Sequence, residues 1–365
     1  MCVKELIWNL MPYGLYRYFK RKINPDLFTD NFLSFLDTID KEDGIIVSSQ
    51  AKSYDSIVSV EGLGYSGSGA VIDFLSEINV CYVLRDARTR TNNKNSNYEL
   101  DFLRLSGGLF EFEHYLSGNN IYQNDALVNR FVDCLNTFPL FRCDKYIQKI
   151  FFKFLKDVLD LSIIDTNGVS PNYHLPHPNR KSSIFYLKNM STEHYRQLCK
   201  NLLIEFFSYL NSEKKSILVM DQFLCDQEFD MERYKGYIPE CKTIVVYRDP
   251  RDVYAFAVQQ NVEWIAHNDV HAFIKWFEIM IRQFDLQSND YLVVQFEKFV
   301  TDYPNESRRV LSYLGIDEKQ HNENLKNSYF NPDISVKNVG IWKSSSMLQD
   351  DFEIISQRLG DYCFN

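Results

Sequence analysis

The stretch from Val60 to Glu77, VEGLGYSGSGAVIDFLSE, constrains the fold more than any other part of the chain. Residues Ile57 to Val60 are small or apolar and read as a buried strand. Gly62, Gly64, Gly67 and Gly69 follow at close spacing, and Ala70 to Ile78 sets apolar residues at helical intervals. Strand, glycine loop and helix together aim backbone N–H groups and a helix N-terminus at an anion. The ATP-binding form of this loop continues with Lys-Ser/Thr after the glycine equivalent to Gly67, and here Ser68-Gly69 stands there. The loop is therefore suited to an anion but lacks the lysine that serves a nucleoside triphosphate.

Further strands and helices alternate along the chain. VCYVLRD (Val80 to Asp86), SILVMDQ, KTIVVY and YLVVQFEKF read as strands, and NESRRVLSYLGI reads as a helix. This order predicts an α/β fold, a mostly parallel sheet with helices on both faces. From about residue 109 to 215 the pattern turns helical in DALVNRFVDCLNTF, YIQKIFFKFLKDVLDL and STEHYRQLCKNLLIEFFSYL, broken by the loop NGVSPNYHLPHPNRKSS. This block reads as an inserted helical lid within a domain spanning 53–365, preceded by an N-terminal extension over 1–52.

Composition narrows the partners. Forty basic against 49 acidic residues give a net charge of −9, which argues against nucleic-acid binding by the chain as a whole. The eight cysteines form no CxxC pair and have no histidines at zinc spacing, so no metal is expected. Scattered thiols point to a reducing, cytoplasmic setting. No apolar run reaches the roughly 18 residues of a membrane-spanning helix. The N-terminus, MCVKELIWNLMPYGLYRYFKRKI, has no cleavage site after its short apolar part. Its aromatics, followed by Arg17, Lys20, Arg21 and Lys22, resemble an interfacial segment. Residues 1–25 are thus a candidate for peripheral contact with the inner membrane face, the alternative being a helix packed on the domain surface.

A second informative segment is VVYRDPRDVYAF. Val245 to Tyr247 end a strand, and Arg248 emerges at the carboxyl edge of the sheet, where α/β proteins place ligands. An arginine there can grip a phosphate bidentately. The alternative is a structural turn in which Asp249 and Asp252 pair with Arg248 and Arg251.

Taken in order, the SGS-containing loop, RDPRDVYA, VVQFEKFVTDYP, LSYLGI and VGIWK resemble the sulfotransferase family, and MDQFL before RDPRD is similar to its bacterial members. The resemblance covers roughly residues 55 to 110 and 215 to 365. It implies a P-loop-like fold and transfer of a sulfuryl group from 3′-phosphoadenosine 5′-phosphosulfate (PAPS) to a hydroxyl, without a metal. It assigns the 5′-phosphosulfate to Gly64, Tyr65, Ser66, Gly67, Ser68, Gly69 and Ala70. The 3′-phosphate falls to Arg248, and Lys337, Asn338 and Gly340 lie in the segment that folds over the donor. Two positions depart from the family: Tyr65 replaces a loop Lys or Arg, and Phe256 replaces a serine eight residues after Arg248. A substitute cation is sought among Arg85, Arg88, Arg90, Lys337 and Lys343. For the acceptor proton the candidates are Glu99 in NYELDFLRL and Asp221 in MDQFL, with Gln222 beside it and His174 and His177 as outsiders. Trp342 is read as core. A carbohydrate or lipid-linked sugar is the favoured acceptor and a sterol or other hydrophobic alcohol the alternative. A nucleotide kinase and a catalytically inactive nucleotide-binding homologue are the competing functions.

Overall fold

Seven residues of unbroken burial potential, SIVSVEG, make the central strand. In the computed structural model, which describes residues 53–84, 109, 113, 144–164, 182–224, 236–238, 241–345 and 348–364, β1 spans Ser56–Gly62. It is followed by α1 (Ser68–Leu75) and β2 (Cys81–Val83). Next come α2 (Lys145–Val158), β3 (Leu159–Ile164), β4 (Ser182–Leu187) and α3 (Thr192–Leu210). The sheet resumes with β5 (Ile217–Asp221) and β6 (Cys241–Tyr247), followed by α4 (Pro250–Gln260) and α5 (Val270–Ile281). The last elements are β7 (Leu292–Gln295), α6 (Phe296–Thr301), α7 (Tyr303–Leu314), the turn α8 (Pro332–Ser335) and α9 (Gln349–Leu359).

Five strands form one sheet in the order β2-β5-β1-β6-β7, every neighbouring pair parallel. The fold is α/β, as the alternating pattern predicts. The chain leaves β1 toward β2 on one side and β6 toward β7 on the other. The crevice beyond the carboxyl ends of β1 and β6 is therefore the topological switch point, the usual ligand site of such sheets.

One face of the sheet buries Val58, Val60, Ile244, Val246 and Val294 against Phe74 and Leu75 of α1, Phe299 of α6, and Val310 and Leu314 of α7. Each fully buried side chain of this size stabilises the fold by about 1.5–3 kcal/mol. On α3, Phe207 meets Tyr54 and Phe223 edge-on at 6.4 and 5.6 Å. The LSYLGI motif has a local explanation: Gly315 takes a left-handed conformation (φ 74°) and Ile316 N–H donates to the Leu311 carbonyl at 2.9 Å, closing α7. Lys242 Nζ adds bonds to the last carbonyls, Tyr313 O at 3.2 Å and Leu314 O at 2.9 Å.

The chain divides into two compact units, residues 1–48 with 114–192 and residues 49–113 with 193–365. Within the stretch read as a helical insertion, β3 and β4 form an antiparallel pair. The helical reading ran past Val158 into LDLSII, whose alternating apolar residues and paired isoleucines favour a strand. Likewise YLVVQFEKF is strand only to Gln295, because Phe296 begins α6. Residues 1–52, including the candidate membrane segment, lie outside the described residues, as does DALVNRFVDCLNTF. Among the described residues no helix is long and apolar enough to cross a membrane, and Cys81, Cys199, Cys241 and Cys363 are free thiols.

Among the ties between the C-terminal third and the segment after α1 is a buried carboxylate. Glu77 Oε1 accepts the N–H groups of Tyr329 and Phe330, both at 3.0 Å, and Oε2 lies 3.0 Å from His321 Nε2. Glu77→Ala leaves those donors unpaired and should lower stability by on the order of 3 kcal/mol. Urea unfolding should show a lower midpoint at unchanged slope; an unchanged midpoint would mean the segment is held elsewhere.

Candidate active site

The loop between β1 and α1 is shaped by side chains that glycine avoids. Gly67 caps α1 in a left-handed conformation (φ 85°), and a Cβ there would collide with the Phe296 ring. A Cβ on Gly64 would collide with the Trp264 ring. Ser66 N–H donates to Leu63 O at 2.8 Å, which closes the turn. Ser66 Oγ is buried without a hydrogen-bond partner. Ser68 is buried at the first turn of α1, and Gly69 and Ala70 continue that turn half-buried. Tyr65 also has a left-handed backbone (φ 58°), uncommon for a residue with a Cβ, and its ring is 41% exposed.

The turn after β6 borders this loop, since Gly62 pairs with Val246 across the two strands. Asp249 caps α4 by accepting Arg251 N–H at 2.8 Å, and it also holds the Arg251 guanidinium at 2.7 Å and Phe364 N–H at 2.9 Å. Asp252 accepts Gly340 N–H at 2.7 Å and Trp342 N–H at 3.1 Å. Half of RDPRD is thus the structural turn that the sequence left open. Arg248 is not part of it. Its guanidinium is buried, Nη2 donates to Asn338 O at 2.5 Å, and Nε has no partner. Among the described residues no carboxylate forms an ion pair with Arg248. Burial pulls its pKa below the ordinary arginine range, against the opposing pull of Asp252, Glu297 and Asp249. The Arg248 guanidinium lies 5.2 Å from the centre of the Phe296 ring, the ring that Gly67 covers, so one aromatic side chain joins the glycine loop to the arginine.

Glu297, the residue after Phe296, is fully buried. Oε1 accepts Asp249 N–H at 2.9 Å, and Oε2 has no partner. Burial pushes its pKa from 4.5 up to about 7. Phe296 and Glu297 lie in VVQFEKFVTDYP, one of the stretches that carry the resemblance, but the sequence reading gives neither a role in the site. A carboxylate just beyond a strand's carboxyl end was the available signal.

The remaining candidates divide clearly. Lys337 and Asn338 are exposed on the 3₁₀ turn Val336–Asn338, which meets Arg248 only through the Asn338 carbonyl. Gly340 has its N–H committed to Asp252 and a left-handed backbone (φ 71°). Lys343 is exposed, its Nζ 5.7 Å from the Trp342 ring centre. Trp342 is half-buried, with the Arg251 guanidinium 4.3 Å and the Phe352 ring 5.6 Å from its ring centre. Asp221 is buried at the end of β5, in register with Val60. The turn beyond it is fixed to β1: Gln222 N–H donates to Val60 O at 2.9 Å, and Phe223 N–H to Ser59 Oγ at 3.1 Å. Glu99, Arg85, Arg88, Arg90, His174 and His177 lie outside the described residues. Phe256 and Tyr65, the two departures noted in the sequence, touch each other, with ring centres 4.7 Å apart. Among the described residues no group of three or more His, Cys, Asp and Glu side chains is placed to hold a metal.

No protein-family model and no curated protein matches the chain. Solved structures similar to it include the sulfotransferase domain from the Synechococcus PCC 7002 olefin synthase, at 12% identity and a TM-score of 0.39, covering 85% of this chain and 96% of that one. The sulfotransferase domain from the curacin biosynthetic pathway matches at 13% identity and a TM-score of 0.38, over 84% and 97% of the two chains. A sulfotransferase from Mycobacterium avium matches at 10% identity and a TM-score of 0.36, over 96% and 88%. Superpositions this loose establish no chemistry, which must come from the residues of this chain.

The buried Glu297 yields a pH prediction. Its folded pKa lies above the unfolded value, so the stability it contributes is complete below pH 4.5 and is lost as pH rises through about 7. Glu297→Gln should be stabilised relative to the parent by on the order of 3 kcal/mol at pH 8, while the two differ little at pH 4.5. Chemical unfolding of both proteins across that range checks this; a pH-independent difference would show that Glu297 titrates normally.

Proposed function

We propose that the chain is a PAPS-dependent sulfotransferase that modifies a hydroxyl on a carbohydrate or lipid-linked sugar. One observation carries the reading: Arg248, a buried cation with a vacant Nε donor and no paired carboxylate, shares the Phe296 ring with a glycine loop whose Ser66 hydroxyl is also unpartnered. Two anion-seeking groups, one on each side of a switch point, suit a donor with two separate anionic ends. The residues therefore fit such a donor. Gly64 to Ala70 would hold the 5′-phosphosulfate through backbone N–H groups and the α1 dipole. Arg248 would grip the 3′-phosphate, and desolvation makes that pairing stronger than it is in water. Asp252 would act indirectly, fixing Gly340 so that Lys337 and Asn338 lie over the nucleotide.

Transfer forms a bond from the acceptor oxygen to sulfur and breaks the bond from sulfur to the phosphate oxygen, while the acceptor proton passes to a carboxylate. Charge gathering on the phosphate oxygen needs preorganised donors, which the loop amides and Ser66 Oγ supply in place of a loop lysine. Asp221 and Glu99 are the two carboxylates put forward for the proton. Glu99, in the polar stretch that follows the second strand in the sequence, is the favoured base; Asp221 is the alternative, on a strand end that positions a base more firmly than a loop does.

Arg248→Ala should weaken adenosine 3′,5′-bisphosphate binding by about 1.5–3 kcal/mol and leave adenosine 5′-monophosphate much less affected. Calorimetry on the two ligands decides; equal losses would make Arg248 structural. For the base, Glu99→Gln should keep product-nucleotide affinity and lose about 10²–10⁴ in turnover, with Asp221→Asn the milder variant. Transfer of labelled sulfate to a carbohydrate panel gives the rates, and a larger loss in Asp221→Asn would reverse the assignment. Nucleotide binding without transfer to any acceptor would instead favour an inactive homologue, a reading that Tyr65, in place of a loop cation, keeps in contention.

A further inference from the structure

An aromatic column runs from the core to the surface beside the glycine loop. Phe273 of α5 is fully buried and lies 5.7 Å from Trp276, which meets Trp264 edge-on at 6.3 Å. Trp264 stacks on Tyr65 at 5.4 Å and 18°, and Phe256 backs Tyr65. At the surface end Trp264 is 58% exposed and Tyr65 41% exposed. Two stacked aromatic rings left in water at the edge of an anion-suited loop form a contiguous apolar surface of the kind that binding sites use.

The exposed indole is also held in place. Trp264 sits on the loop between α4 and α5, which buried His267 braces from within. His267 Nδ1–H donates to Val262 O at 2.8 Å and Ile265 O at 3.0 Å, and Nε2 lies 3.0 Å from Asn261 Oδ1. Gly64 lets the indole rest directly on the glycine loop. Tyr65 reaches it only through its left-handed backbone, a strain of the kind that collects at functional sites. An immobilised aromatic anchor loses little freedom on binding a ligand.

The surroundings select the ligand. On the stretch of chain that carries Trp264, Gln259, Gln260, Asn261, Glu263, Asn268 and Asp269 are exposed, and no lysine or arginine occurs between Arg251 and Lys275. Amides and two carboxylates on the loop that carries an apolar ring suit a ligand ring that is apolar on its face and hydroxylated at its rim. Among these described neighbours in the chain no cation offers an anionic ring a counter-charge.

We infer that Trp264 and Tyr65 form the acceptor subsite and stack on a neutral saccharide ring, presenting a hydroxyl beside the glycine loop. This rests on the sulfotransferase reading for its location, but it can be tested without transfer. Maltotriose and cellotriose, titrated into the full chain with and without saturating adenosine 3′,5′-bisphosphate, should shift the Trp264 indole N–H resonance and show saturation transfer to sugar-ring protons. Trp264→Ala should weaken saccharide binding roughly tenfold or more, and Trp264→Phe should restore part of it. Both variants should bind the nucleotide within about twofold of the parent, a difference too small for a lost hot-spot contact. A melting curve of each Trp264 variant beside the parent guards against misreading a misfolded protein. Absence of saccharide binding to the parent protein, tighter binding of 2-naphthol than of either sugar, or a nucleotide loss in Trp264→Ala equal to the saccharide loss would each overturn the inference. Saccharide binding that persists when the nucleotide fails to bind would sustain the subsite and sink the donor reading instead.

Discussion

Among the described residues Arg248 has no ion-paired carboxylate: Asp249 and Asp252 are committed elsewhere, and Glu297 uses one oxygen on a backbone amide and forms no ion pair with the guanidinium. Asp249 is held by Arg251, by the first turn of α4 and by the Phe364 amide. Asp252 is held by the amides of Gly340 and Trp342, and Glu297 by the amide of Asp249. A buried guanidinium without an ion-paired carboxylate is destabilising, since desolvating an unpaired charge costs several kcal/mol. The turn, the docking of the C-terminus and the placement of the 336–340 segment all follow from where those carboxylates point. Were Asp249 to turn toward Arg248, the proposed anion site would close and the C-terminal anchor would be lost together.

The same economy of parts appears around Phe296. As the first residue of α6 it belongs to the core between sheet and helices, yet its ring also lies under Gly67 and against Arg248. Glycine is required at 67 for two independent reasons, the left-handed backbone and this ring. Two anion-seeking groups on different loops are thereby held in fixed relation without touching each other. Preorganisation of that kind is what binding and transfer both need.

Much of this was legible in the sequence. Glycine spacing after an apolar run determined the strand, loop and helix of β1 and α1, because only that backbone path tolerates the pattern. RDPRD after three apolar residues placed Arg248 at the carboxyl edge of a strand, and NESRRVLSYLGI was legible as the helix α7. These are local effects, set within one turn or one strand of the chain. Periodicity was less informative at Phe296, where strand passes into helix without a break, and at Leu159, where helix passes into strand.

Only the tertiary structure decided which charges meet. The sequence left RDPRD open between a phosphate grip and a salt-bridged turn, and the fold divides it, with Arg251 in the turn and Arg248 outside it. That division depends on Glu297, Gly340, Trp342 and Phe364, all more than forty residues away along the chain. It likewise took the fold to bring Trp264 onto Gly64 and Phe256 onto Tyr65, which turned two unexplained departures from a motif into one aromatic surface. Contacts between residues so distant in sequence are fixed by strand order and helix packing, and local pattern carries no record of either.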